Sequence, residues 1–178
     1  RNGRRLPTHV GAQALMNSPT PQACPALPEL TVPGVAQLVS VVVPCRNEGA
    51  YIDAFCDATL AQRLPEGWQM ELLVADGASD DGTRERLDAH AARDSRLYLV
   101  DNPRRIVSTG LNACLRQARG AVIVRMDVHT TYASDYAAQC LKTLRETGAA
   151  CVGGPWVPVG QGWPQAAIAA AFESRFGS

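Results

Sequence analysis

The sequence lacks an excess of either charge, with Lys+Arg and Asp+Glu at 17 each, and no basic cluster is interleaved with aromatic residues. Without a net field or such a stripe the chain has no means of drawing a polyanion, so nucleic acid is not expected as a partner. Uninterrupted apolar runs of the ~20 residues needed to span a bilayer are missing too. Cys24, Cys45, Cys56, Cys114, Cys140 and Cys151 include no C-x-x-C pair. Several fall on apolar helix faces beside Leu and Ala, so they read as buried small hydrophobes of a reducing compartment. Also absent are a G-x-S-x-G elbow, a G-x-x-x-x-G-K-[ST] loop, a G-x-G-x-x-G turn and an H-E-x-x-H helix, which removes the chemistries those motifs carry.

What is present divides into two textures. Residues 1–37 hold half of the 12 prolines and no aromatic residue, and no periodic apolar pattern there could pack a core. They are expected to form a flexible leader. Arg1, Arg4 and Arg5 give it a faintly targeting-like character, but the apolar h-region of a secretory signal is missing. Residues 38–178 are expected to form one domain, cut short at its C-terminal end, where Phe176-Gly177-Ser178 interrupts a helical pattern. Leu38–Pro44, Glu71–Ala75, Leu97–Val100, Ala121–Met126 and Ala149–Gly153 are short, nearly continuous apolar runs, the pattern of parallel strands covered on both faces. Between them lie helical stripes: Ile52, Phe55, Cys56 and Leu60; a weaker helix over 83–92; Leu111, Cys114, Leu115 and Ala118, stopped by Gly120; and Ala137, Cys140, Leu141 and Leu144, with Ser134 as N-cap and Gly148 as stop. The alternation predicts an α/β fold with a doubly wound, mostly parallel sheet, helices on both faces and right-handed crossovers.

In such a sheet the polar residues just past the strands fall on one edge, where ligands bind. After the first strand come Pro44, Cys45, Arg46, Asn47 and Glu48. Exposed amides there, with the Asn47 and Glu48 side chains, can grip a base or ribose, or Asn47 can cap a helix while Glu48 serves its dipole. After the second strand, Asp76 is placed to accept a hydrogen bond from a nucleobase, while Asp80, Asp81 and Thr83 read as turn and cap residues. Asp127-Val128-His129 lies at the mouth of a segment taken as extended, where alternate side chains project the same way. Asp127 and His129 pair an oxygen with an imidazole, a donor set suited to Mn²⁺ or Mg²⁺ that leaves positions for two phosphate oxygens. The alternative is a loop Asp capping Thr130 or Ser134 beside a solvated His. His9 and His90 read as surface residues.

Together these segments resemble family 2 glycosyltransferases of the GT-A fold. The resemblance rests on Pro44-Cys45-Arg46-Asn47-Glu48 as the P-x-x-N-E strand end, Asp76-Gly77-Ala78-Ser79-Asp80-Asp81-Gly82-Thr83 as the D-G-S-x-D-G-T segment with one insertion, Ser108-Thr109-Gly110-Leu111-Asn112 as a loose match to a G-x-x-x-A-x-N helix, and Asp127-Val128-His129 as a D-x-H variant of the D-x-D metal motif. Asn102-Pro103-Arg104-Arg105 and the Arg125–His129 stretch are most similar to succinoglycan-type exopolysaccharide enzymes. The resemblance implies that Pro44, Cys45, Asn47, Glu48, Asp76 and Asp127 bind the nucleotide, and that Asp127 and His129 hold the metal. It implies inverting transfer from a nucleotide diphosphate sugar, UDP-linked, to a carbohydrate or lipid-linked acceptor, with the catalytic base beyond residue 178. The expected location is the cytoplasm, with the inner membrane face reachable through segments outside the chain. Two other readings stand beside it. A sugar-nucleotide pyrophosphorylase would want a Gly-rich loop after the first strand, and a phosphoacceptor receiver domain would use Asp101.

Overall fold

The computed structural model describes residues 37–154. Its elements alternate in the expected way: β1 (Gln37–Cys45), α1 (Ile52–Leu60), β2 (Trp68–Asp76), α2 (Thr83–Arg93), β3 (Leu97–Asp101), α3 (Val107–Gln117), β4 (Val122–Arg125) and α4 (Tyr136–Thr147). All pairings are parallel, in the order β3-β2-β1-β4. Cys45, Asp76 and Asp101 share one rung, so three strands end level at the same edge.

The apolar runs explain the layers. Alternate residues of a strand face opposite sides, and both sides of β1 are covered. Val39, Val41 and Val43 pack with Ile52, Phe55 and Cys56 of α1, Leu87 of α2, and Leu141 and Leu144 of α4. Val42, together with Leu73, Ala75 and Val100, packs against Cys114 of α3 on the other face. That division follows from right-handed crossovers: the chain steps outward from β1 to β3 with α1 and α2 on one side, then returns past β1 to β4 with α3 on the other. The reversal creates a switch point between β1 and β4.

At the opposite edge the sheet is tied by a polar cluster. The fully buried Ser40 hydroxyl donates to Glu71 Oε1 at 2.6 Å, and the Arg119 amide donates to the same oxygen at 2.7 Å. The Arg119 guanidinium reaches Oε2 and lies 4.9 Å over the Tyr98 ring. Gly120 fits here because a Cβ would stand 2.6 Å from the Ser40 backbone nitrogen and 2.7 Å from the Leu38 carbonyl oxygen. Gly120→Ala is therefore expected to lower stability by about 2–3 kcal/mol through overpacking, as a lower urea midpoint at unchanged slope would show.

Several expectations are corrected. Ala149–Gly153 is not a strand. Its small, largely exposed residues pair with no strand and offer little area to bury. β1 begins at Gln37, one residue inside the expected leader, whose remaining residues lie outside the described ones, as do Cys24 and the C-terminal helical pattern. α3 ends at Gln117, so Gly120 serves packing and does not stop the helix. Asp135, not Ser134, precedes α4, and the Ser134 hydroxyl instead accepts from Arg63 at 3.0 Å. Gly148 does close α4, in the left-handed conformation with φ 65°. His90 is buried, with Nε2 3.0 Å from Asp53 Oδ1, because α2 turns that face onto α1. Cys45, Cys56 and Cys114 are buried as expected, whereas Cys151 is exposed.

Candidate functional site

A cleft of about 320 Å³ opens at the switch point, lined by Pro44 and Cys45 at the end of β1 with Arg46 and Glu48 after it, by Arg125 at the end of β4 with Asp127 and His129 after it, by Gly77, Asn102 and Arg105 from the intervening loops, and by Val107 at the start of α3. The structure thus brings together Pro44, Cys45, Glu48, Asp127 and His129, residues 85 positions apart at the extremes.

Each position has a local cause. Glu48 is held by its amide, which donates to Thr83 Oγ1 at 2.9 Å, and its carboxylate approaches His129, with Oε1 3.6 Å from Nδ1. Asp127-Val128-His129 is a turn, not an extended segment: the Thr130 amide bonds back to the Asp127 carbonyl at 3.1 Å. Alternation along a strand is therefore not what brings Asp127 and His129 to one cleft; the turn does so while giving them different neighbours. The Asp127 carboxylate takes the Arg125 guanidinium at 3.1 Å. Cys45 is pushed up to about 12 by burial and then by the nearby Asp76 and Glu48 carboxylates. A thiol so far from ionising shapes the wall and supplies no nucleophile.

Asn47 and Asp76 do not line the cleft. Asn47 sits in the left-handed region, with φ 56°, and staples the β1 turn to the next loop. Its Nδ2 donates to Asp80 Oδ1 at 2.9 Å and its Oδ1 accepts the Asp80 amide at 3.1 Å. Asp76 is buried, with Oδ1 accepting the Ser79 hydroxyl at 2.6 Å and Oδ2 3.7 Å from Arg84. Asp81 accepts from the Gly49 amide at 2.9 Å and from Thr83, as a turn residue does.

Sequence reasoning had not placed Arg46, Asn102, Arg105, Val107 or Arg125 in the site. Asn102 is buried directly after β3. Its Nδ2 donates to the Ile106 carbonyl at 3.0 Å, its Oδ1 accepts from Thr109 at 2.7 Å, and its carbonyl accepts the Arg105 amide at 2.9 Å. The loop is thereby folded so that Arg105 stands at the cleft with φ 59°. A polar residue directly after an apolar run was the available signal. The cleft carries Arg46, Arg105 and Arg125 against Glu48 and Asp127, a wall suited to an anion with a cation beside it. Asp101 points elsewhere, 2.7 Å from Arg84. Among the described residues, no group of three or more His, Cys, Asp or Glu is arranged to hold a metal ion, and no helix is long and apolar enough to cross a membrane.

Known proteins resemble this chain in sequence and in fold. The profile of "Glycosyl transferase family 2" matches residues 40–175. The succinoglycan biosynthesis protein ExoA of Rhizobium meliloti (strain 1021) is 34% identical over 140 residues, 78% of this chain and 42% of ExoA. Glycosyltransferase AglE of Haloferax volcanii is 28% identical over 117 residues, 65% of this chain and 38% of AglE. The chain thus spans less than half the length of these relatives. Among solved structures, the mannosyltransferase PcManGT from Pyrobaculum calidifontis, in complex with GDP-Man and Mn²⁺, superposes with a TM-score of 0.55 at 34% identity, over 60% of this chain and 32% of that one. S. aureus TarS 1-349 in complex with UDP shares the fold, with a TM-score of 0.54 at 19% identity over 68% of this chain and 39% of that one. The doubly wound α/β sheet is that of the GT-A glycosyltransferases.

Proposed function

Because the chain belongs to glycosyl transferase family 2, we propose that its switch-point cleft binds the nucleotide diphosphate sugar donor of an inverting, metal-dependent transfer. The observation that carries this reading is the convergence of Glu48, Arg105, Arg125, Asp127 and His129 on one cleft at the edge where parallel sheets take nucleotides. UDP is the proposed nucleotide, and Mn²⁺ or Mg²⁺ the ion. Asp127 and His129 fit as the two protein ligands, since both face the cleft and His129 turns Nδ1 toward Glu48, which leaves Nε2 for a cation. When bound, the ion neutralises charge on the diphosphate leaving group.

The chain's own residues bind and orient. Pro44 and Cys45 form an apolar wall for the nucleoside. Arg105 and Arg125 offer planar donors to phosphate oxygens, which accept such pairs in bidentate fashion. Glu48 orients His129. Asn47 and Asp76 support the loops that frame the cleft, and Asp76 reaches a base only where Ser79 releases it. None of these residues is assigned as the base that deprotonates the acceptor hydroxyl. The acceptor is a carbohydrate or lipid-linked glycan of exopolysaccharide assembly, in line with the likeness to ExoA, and the site of action is the cytoplasmic side of the membrane.

Calorimetric titration of UDP and of GDP, with and without Mn²⁺, tests the proposal. Metal-dependent UDP binding that weakens at least tenfold, or ~1.4 kcal/mol, in His129→Ala is the expected result. A folded protein that binds neither nucleotide contradicts it.

A further inference from the structure

We propose that Tyr132 is a positioning residue that holds the Asp127–His129 turn in the geometry needed for a metal-bound donor, an inference that rests on the donor-site reading above. The turn itself is closed by one backbone bond, from the Thr130 amide to the Asp127 carbonyl at 3.1 Å. The amide of Asp127 is not part of the β4 ladder. It donates instead to the Tyr132 hydroxyl at 2.9 Å. A backbone N–H in a partly buried place that lost this acceptor would have to turn toward water, and the carboxylate on the same residue would turn with it.

Tyr132 can fix the turn because it is itself fixed. Its ring packs against the main core and lies 5.0 Å from the Tyr136 ring at the start of α4. The backbone that follows is pinned to the end of α1. Gln62 donates to the Ala133 carbonyl at 2.7 Å and accepts the Ala137 amide at 3.2 Å, while the Arg63 amide donates to the Ser134 carbonyl at 2.8 Å. The hydroxyl thus stands on a strut anchored at three points and transmits that position to Asp127. Tyr132 does not line the cleft, so it acts on the donor through Asp127.

The test compares wild type, Tyr132→Phe and Tyr136→Phe by calorimetric titration of UDP with and without Mn²⁺, alongside thermal melts. Phe keeps each ring and removes one hydroxyl. Tyr132→Phe is expected to weaken the Mn²⁺-dependent part of UDP binding about tenfold, as loss of an outer partner of a metal ligand does, while metal-free binding stays unchanged. Tyr136→Phe, whose hydroxyl does not touch the turn, should keep the metal-dependent part. A metal-dependent increment preserved in Tyr132→Phe overturns this inference alone, as does an equal loss of metal-dependent and metal-free binding, which would mark a general structural role. An increment absent from wild type overturns the donor-site reading together with this one.

Discussion

Asp127→Ala is expected to abolish the metal-dependent part of nucleotide binding while leaving metal-free binding intact or slightly stronger. The two directions come from one contact. In the structure the Asp127 carboxylate is paired with the Arg125 guanidinium at 3.1 Å, and both line the cleft. Removing the carboxylate takes away an oxygen ligand. An outer partner of a metal ligand is typically worth tenfold to a hundredfold in affinity, so a ligand should be worth roughly a hundredfold or more. The same change frees Arg125 for a phosphate oxygen, so affinity measured in chelator should not fall. Nucleotide titration in Mn²⁺ and in EDTA separates the two terms. A parallel loss in both conditions would show that Asp127 supports the fold of the cleft and not an ion.

Glu71→Ala is expected to cost about 3 kcal/mol of stability near neutral pH, by stranding the buried Ser40 hydroxyl and removing the acceptor of the Arg119 amide and guanidinium. Burial pushes the Glu71 carboxyl up, but hydrogen bonds from Ser40 and Arg119 overcome it and hold the group below its ordinary 4.5. A carboxyl depressed in the folded state stabilises above its unfolded value and loses that contribution as pH falls through the folded one. The gap between wild type and Glu71→Ala should therefore narrow as the pH falls below 4.5. Urea denaturation across that range checks it. A gap independent of pH would mean that lost packing, not the charge network, sets the cost. The cluster lies at the edge opposite the cleft, so nucleotide affinity of the folded variant should stay at the wild-type level.

β1 and β2 are legible because they are buried on both faces and therefore read as nearly unbroken apolar runs, as in Leu38–Pro44 and Glu71–Ala75, whereas β3 and β4 leave Tyr98 and Ile123 exposed on one face. The glycine closing α4 was legible for a local reason, its left-handed backbone. Features that depend on distant partners were not. His90 looks like a surface residue within its own helix, and only the packing of α2 on α1 brings it to Asp53. Glu71 looks like a polar residue at the start of an apolar run until the chain returns, 48 residues later, with Arg119. Strand-end logic predicts that Pro44, Cys45, Glu48, Asp127 and His129 meet, and they line one cleft, whereas Asn47 and Asp76 are held by the adjoining loop. A polar side chain at a strand end can be consumed by the adjoining loop, as Asp80 and Ser79 consume these two. The run at 149–153 failed for a different reason: Ala and Gly are apolar enough to resemble a strand but too small to gain much from burial.

The central claim is that the nucleotide and its cation sit together between the ends of β1 and β4. Paramagnetic broadening of amide resonances on addition of Mn²⁺ with UDP tests it most directly, because the effect falls steeply with distance from the ion. The account predicts broadening of the amides of Cys45, Gly77, Arg105 and His129, with those of Gly120 at the opposite edge and Lys142 on α4 unaffected. Broadening centred elsewhere, or broadening at His129 that is indifferent to UDP, would contradict it.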